Sequence, residues 1–389
     1  MINRKDDQPI RWQGKKMTIM KAMKIPRVDL GPQEGPLKDE IMRAISSIID
    51  SKEFILGKNV AELERKVGAY MGVEDAIGVA TGTDAMTLSL NAVGISKGDE
   101  VITTPFTMAA NVEAIMHNGA RPVFCDVDPE TFNIIPSEIE EKISARTKAI
   151  LPVHLFGNPC EIDKIVETAQ SKGIPLLEDA CQAFGAEYKG KKCGSFGDFA
   201  ALSFFPTKNF SCYGDGGMVL LREKKYSEKI RILRAHGQEK KYVYKHLGWN
   251  SRLDEIQAAI MLPKLRLIDS WNAQTTRIAQ KYNSILSKID ELIVPKTQNY
   301  AIHVFHLYTL RAQRRGELVQ HLAQRGISTT INYPEPLHLQ QAYSSFKYKR
   351  GDFPNAEMLC EQSLSLPLYV GLTDEQVNYV CGAIEEFYR

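Results

Sequence analysis

The chain has 389 residues, with 49 Lys and Arg against 47 Asp and Glu, a formal charge of +2. That length suits one large domain with a smaller one, and the near balance of charge excludes a general polyanion binder for nucleic acid or an acidic membrane surface. No run of roughly 18 apolar residues marks a membrane span, the N-terminus lacks the apolar centre of a signal peptide, and the seven scattered cysteines have no Cys-x-x-Cys spacing, so a cytoplasmic protein without disulfides or zinc is expected.

Residues 1–24 mix charged and polar residues with little periodicity and read as an N-terminal arm. A helical stripe follows over Leu37 to Ser51, and a second over Asn59 to Tyr70 with Val60, Leu63, Val67 and Tyr70 on one face and Gly72 as a stop. Ala76 to Ala80 reads as a buried strand, Thr81-Gly-Thr-Asp84 as a turn, and Ala85 to Val93 as a helix. Further strands are predicted at 100–104, 122–126, 149–153, 175–179 and 198–204, separated mostly by helices at 111–118, 136–144 and 161–171. This alternation implies crossover units and a largely parallel sheet. After a polar helical run and the tyrosine- and lysine-rich 240–246, helices are predicted at 256–265 and onward to Leu286. A second alternation places strands at 303–310 and 329–332, a helix at 315–325, and a last helix from the cap Thr373 to Tyr388. The division is an arm (1–24), a large domain (25–265) and a smaller C-terminal α+β domain (266–389).

Three stretches carry chemistry. In Ser203-Phe-Phe-Pro-Thr-Lys208-Asn-Phe-Ser-Cys-Tyr-Gly-Asp-Gly-Gly217, one lysine lies between a buried strand and a glycine-rich turn. A lysine that attacks a carbonyl must spend time neutral, which apolar surroundings favour, so Lys208 reads as a Schiff-base lysine; on this stretch alone an ordinary loop cation stays open. Thr81-Gly82-Thr83-Asp84 opens a helix straight after a strand and suits a phosphate, or is a plain helix cap. In Glu178-Asp-Ala-Cys-Gln182, a carboxylate at the end of a parallel strand faces the edge where ligands bind. Asp179 could keep a pyridine nitrogen of pyridoxal phosphate protonated, with Gln182 bonding the ring's phenolic oxygen, or it could merely cap the next helix.

Taken in order, these motifs resemble the DegT and StrS family of pyridoxal-phosphate-dependent sugar aminotransferases, within the aspartate aminotransferase fold group. The resemblance is carried also by Pro105-Phe-Thr, Pro122-Val-Phe-Cys-Asp-Val-Asp128, Pro152-Val-His-Leu-Phe-Gly157, Asn250-Ser-Arg-Leu-Asp254 and Tyr333-Pro-Glu-Pro-Leu-His338, and it runs from about Ile25 to the end. It implies a three-layer α/β fold with a mostly parallel central sheet. It implies that Lys208 binds the cofactor covalently and shuttles protons, that Asp179 pairs with the ring nitrogen and Gln182 with the phenolic oxygen. The phosphate would be held at Gly82, Thr83 and Ser203, and by Asn250 of a second subunit, which makes a homodimer with shared sites. Tyr333 and His338 would face substrate. Three positions depart from the usual pattern: Met108 where an aromatic residue commonly covers the ring, Phe205, and Asn332 before Tyr333; all three are expected to line the site. The implied reaction takes an amino group from L-glutamate, through pyridoxal and pyridoxamine phosphate, to a keto sugar. The motif forms look most like relatives acting on the third carbon of a sugar nucleotide. Alternatives are a 4-keto sugar nucleotide, a cyclitol or a non-nucleotide sugar. Dehydration by lysine-less relatives is disfavoured by Lys208. A cofactor-binding regulatory protein without turnover is a further reading.

Overall fold

The short apolar runs between helices assemble into one twisted sheet because their side chains are buried on both faces, as strands flanked by helices require. The structure, a computed structural model, describes residues 23–389, so all but the last two residues of the expected arm lie outside it. Four strands lie in the order Asp75–Val79, Gly217–Leu221, Phe199–Ser203, Leu177–Asp179. Single parallel bridges, Ile150 to Leu176 and Val153 to Asp179, continue them into a parallel set ordered Thr147–Ile150, Glu100–Thr103, Arg121–Phe124. Only Gly217–Leu221 runs against its neighbours in this array. The C-terminal ends of Asp75–Val79, Phe199–Ser203, Leu177–Asp179 and Glu100–Thr103 therefore share one edge with the N-terminal end of Gly217–Leu221.

Helices cover the sheet. Lys58–Met71 buries Val60, Leu63 and Val67, the stripe read from the sequence, and ends on Gly72 in the left-handed conformation. Ile268–Leu286 joins two cores: Ile268 and Trp271 pack with the large sheet, whereas Ile278, Ala279, Tyr282 and Leu286 pack in a C-terminal cluster. That cluster surrounds an antiparallel sheet ordered Leu292–Ile293, Tyr308–Ala312, Ser363–Leu366. Ile25, at the other end of the chain, is buried in the same cluster and bridges to Ile327. The closing helix Asp374–Tyr388 starts on a full capping box, with the Gln376 amide donating to Thr373 Oγ1 (3.2 Å) and the Thr373 amide to Gln376 Oε1 (2.9 Å).

Two C-terminal expectations shift. The strand predicted from residue 303 begins only at Tyr308, because Phe305 is left-handed (φ 47°) and its amide turns back to donate to His303 Nδ1 at 2.9 Å. The strand predicted at 329–332 reduces to one bridge, Thr330 to Ser365. The pairing partner of Tyr308–Ala312 is instead Ser363-Leu-Ser-Leu366, whose alternating serines are all buried and so gave no polar-out signal.

Candidate active site

The shared sheet edge concentrates the singled-out residues. After Asp75–Val79 the chain turns through Thr81 into the helix Gly82–Ala92, and Thr81 Oγ1 caps it by accepting the Asp84 amide at 2.9 Å. That cap leaves the Gly82 and Thr83 amides, at the positive end of the helix, without an acceptor among the described residues. Asp84 is turned aside by Ser251, whose Oγ donates to its Oδ2 (2.7 Å) while accepting the Ala80 amide (3.1 Å). The floor has no room for side chains. A Cβ at Gly217 would strike the Thr81 carbonyl group, and one at Gly82 would come within 2.8 Å of both Cys181 Sγ and Ser203 Cβ. Ser203 is paired with Gly217, so its hydroxyl ends its strand beside this helix start. Backbone donors, a hydroxyl and a glycine-lined hollow suit a phosphate group.

Asp179 ends the neighbouring strand and is buried. Its Oδ1 accepts the Cys181 amide at 3.0 Å, and Oδ2 has no hydrogen-bond donor among the described residues, leaving one carboxylate oxygen for a cationic partner. Gln182 is held by one end: its Oε1 accepts the Phe156 amide (2.9 Å), which directs Nε2 to the Tyr333 hydroxyl at 3.3 Å. Burial pushes the Tyr333 phenol up to about 12, so it stays protonated at neutral pH.

Lys208 follows its strand by five residues in a tight turn, its amide donating to the Phe205 carbonyl (2.8 Å). Burial lowers its pKa from the ordinary lysine value, against the opposing pull of Cys181 and Asp179 nearby. An amine with a depressed pKa is a nucleophile and proton carrier near neutrality. The return of the loop is pinned from behind by Lys264, a fully buried lysine that sequence reading passed over. Its Nζ donates to Glu34 Oε1 (2.7 Å) and to the Ser211 carbonyl (3.1 Å) and lies 4.3 Å from the Tyr213 ring centre. Cys181 and His306 are two further neighbours that sequence reading missed. Burial, then Lys208 and Arg27, keep the His306 ring neutral, and its Nδ1 is buried without a partner among the described residues. His306 fell inside a predicted strand, where alternation gave no reason to single it out.

The structure thus gathers Gly82, Thr83, Ser203, Asp179, Gln182, Lys208 and Tyr333. Met108 (56% exposed) and Phe205 (49% exposed) stand on segments leaving the same edge, with open faces. Asn332 packs beside the Ser363–Leu366 strand, its Oδ1 accepting from Ser365 Oγ at 3.4 Å. His338 is placed differently from an open substrate contact. Its ring is buried between Glu357, bonded to Nε2 at 3.1 Å, and the edge of Phe353, and burial pushes its pKa down. Asn250 is exposed and bridges to Ala235; among the described residues nothing draws it to Lys208.

Fold and site together define an aminotransferase. The chain belongs to the DegT/DnrJ/EryC1/StrS aminotransferase family, which it matches over residues 36–385. It is 45% identical over 369 residues to the Pleiotropic regulatory protein of Geobacillus stearothermophilus, covering 94% of this chain and 99% of that one. It is 38% identical to the dTDP-3-amino-3,4,6-trideoxy-alpha-D-glucose transaminase of Streptomyces venezuelae, covering 94% and 96% of the two chains. The crystal structure of S. venezuelae DesV in complex with a ketimine intermediate matches with a TM-score of 0.92 at 38% identity, covering 94% of this chain and 99% of that one.

Proposed function

We propose that the protein is a pyridoxal-phosphate-dependent aminotransferase that moves an amino group from L-glutamate to the 3-keto group of a nucleotide-linked deoxy sugar, in cytoplasmic amino-sugar biosynthesis. The observation that carries this reading is Lys208, held low in pKa by burial beside Asp179 and near a helix start with free amides. When bound, the cofactor supplies an aldehyde for the amine and an electron-accepting ring. Around it, the Gly82 and Thr83 amides and the Ser203 hydroxyl bind phosphate, Asp179 Oδ2 holds the proton on the ring nitrogen, and Gln182 Nε2 orients the phenolic oxygen. Lys208 Nζ takes and returns the proton at the substrate carbon. The exposed Asn250 serves the partner's phosphate site in a homodimer, Met108 packs against the cofactor ring, and Phe205, Asn332 and Tyr333 surround the substrate. The third carbon is favoured by the named substrate of the Streptomyces transaminase.

The test loads the protein with cofactor, adds L-glutamate, and screens 3-keto and 4-keto sugar nucleotides, cyclitols and free keto sugars for aminated product by mass spectrometry. Amination of a 3-keto nucleotide sugar supports the proposal; a preference for another class replaces its substrate half. A second reading, a cofactor-binding regulator without turnover, is favoured by the name of the Geobacillus relative. It requires that neither L-glutamate nor any keto acceptor be consumed.

A further inference from the structure

The motif Pro152-Val-His-Leu-Phe-Gly157 enters the site only through the Phe156 amide on Gln182, yet it also adjoins Asp179 through two backbone hydrogen bonds. The Asp179 amide donates to the Pro152 carbonyl (2.9 Å) and the His154 amide to the Asp179 carbonyl (3.0 Å). Successive strand residues point to opposite faces, so Glu178 is aimed away from Asp179, into the core, where it is fully buried. Its carboxylate is saturated there. Oε1 accepts the amides of Phe196 (2.8 Å) and Gly197 (2.7 Å), and Oε2 accepts the Gly194 amide (2.8 Å) and His154 Nε2 (2.9 Å). His154 is equally buried, and its Nδ1 accepts the Cys160 amide at 3.2 Å. With the Cys160 amide directed at Nδ1, Nε2 is the nitrogen that donates to Glu178.

Two residues past His154 the chain makes a left-handed turn, with φ 56° at Phe156 and 88° at Gly157. The turn presents the Phe156 amide to Gln182 Oε1 at 2.9 Å. It also lies so close to the Gln182 backbone that a Cβ at Gly157 would come within 2.9 Å of the Gln182 carbonyl oxygen. A carboxamide can be reversed by rotation of its last torsion. Only an amide donor at Oε1 keeps Nε2 on the side of the Tyr333 hydroxyl.

We propose that His154 and Glu178 are a positioning pair: the imidazole, clamped between the Glu178 carboxylate and the Cys160 amide, fixes the 154–157 turn so that Phe156 sets which face of the Gln182 carboxamide meets the ring oxygen and the substrate. The inference rests on the role assigned to Gln182 in the proposed function. It divides the strand end between two carboxylates: Asp179 faces the site, and Glu178 sets its geometry from behind. Misplacement by a fraction of an ångström at a reacting centre lowers kcat more than it raises KM.

The test is a double-mutant cycle on the cofactor-loaded enzyme with His154→Leu, Gln182→Leu and the double variant. It reads the pH midpoint of the visible cofactor band, kcat and KM, together with hydrogen exchange of the 152–158 segment in the cofactor-free protein. Expected are a shifted midpoint and a fall in kcat on the order of tenfold or more for His154→Leu at little-changed KM, faster exchange over 152–158, and no further spectral shift in the double variant. His154→Gln, whose carboxamide can again donate to Glu178, restores most of kcat. If His154→Leu does not fold, Glu178→Gln takes its place in the same cycle. Equal spectral shifts in the presence and absence of Gln182 overturn the positioning role while leaving the aminotransferase reading intact. An unchanged spectrum in Gln182→Leu overturns the Gln182 assignment, and this proposal with it.

Discussion

Gly217→Ala puts one methyl group where the phosphate cradle has no space. An alanine Cβ at this position would overlap the carbonyl group of Thr81 and the amide of Gly82, backbone atoms that cannot swing aside as a side chain can. Relief requires the Thr81–Gly82 peptide to move, and that peptide carries the first free amide of the Gly82–Ala92 helix. Overpacking of this kind costs about 1–3 kcal/mol. If the strain is relieved by displacing the cradle, the same free energy appears as a loss of cofactor affinity of roughly 5- to 150-fold, at tenfold per 1.4 kcal/mol. Gly382→Ala is the control. It makes the same chemical change inside the helix Asp374–Tyr388, where a Cβ meets nothing within 4 Å, and is expected to stabilise the protein by about 0.5–1 kcal/mol. Cofactor titration followed by the visible band, with urea unfolding of the cofactor-free protein, reads both quantities. Wild-type cofactor affinity in Gly217→Ala would refute the assignment of this hollow to the phosphate.

Asp179→Asn keeps an oxygen for the Cys181 amide but loses the charge; kcat should fall on the order of a hundredfold or more with little change in unfolding free energy, and a change within a few-fold removes Asp179 from the chemistry. His303, stacked on Phe305 and buried, has its pKa pushed down to about 3 by burial. The stability this contributes is present above its unfolded value of about 6.5 and is lost as pH falls toward the folded value, at up to about 1.4 kcal/mol per pH unit. His303→Asn, which can still accept the Phe305 amide, should flatten the urea midpoint between pH 6.5 and 4, and an unaltered slope contradicts the buried neutral ring. Lys208→Ala and Asn250→Ala homodimers should each be inactive. Subunit exchange at equal amounts should recover about one quarter of wild-type activity through one intact site per mixed dimer, whereas no recovery shows that Asn250 does not serve its partner.

Much of the large sheet was legible because strands buried on both faces leave short apolar runs, and the helices between them carry clear stripes such as Val60, Leu63 and Val67. Lys208, Asp179 and the Thr81–Thr83 turn were legible because each sits where a strand ends at a ligand-binding edge. The C-terminal part was harder. Ser363-Leu-Ser-Leu366 buries its serines, and the left-handed Phe305 interrupts a run that reads as continuous strand. His338 was assigned to substrate on motif likeness, whereas burial against Phe353 and Glu357 is a three-dimensional property with no local signature. Lys264 and His306 escaped for the same reason, since Glu34 and Lys208, which they meet in the fold, lie far from them along the chain; Cys181, two residues from Asp179, escaped because its burial beside Lys208 has no local signature.

The amino-donor half-reaction followed by absorbance tests the central claim most directly. Protein loaded with cofactor should show a band near about 410–430 nm that L-glutamate moves to about 330 nm, with one equivalent of 2-oxoglutarate released per site, and Lys208→Ala should abolish release. A wild-type spectrum that no amino donor alters, or release that persists in Lys208→Ala, would contradict it.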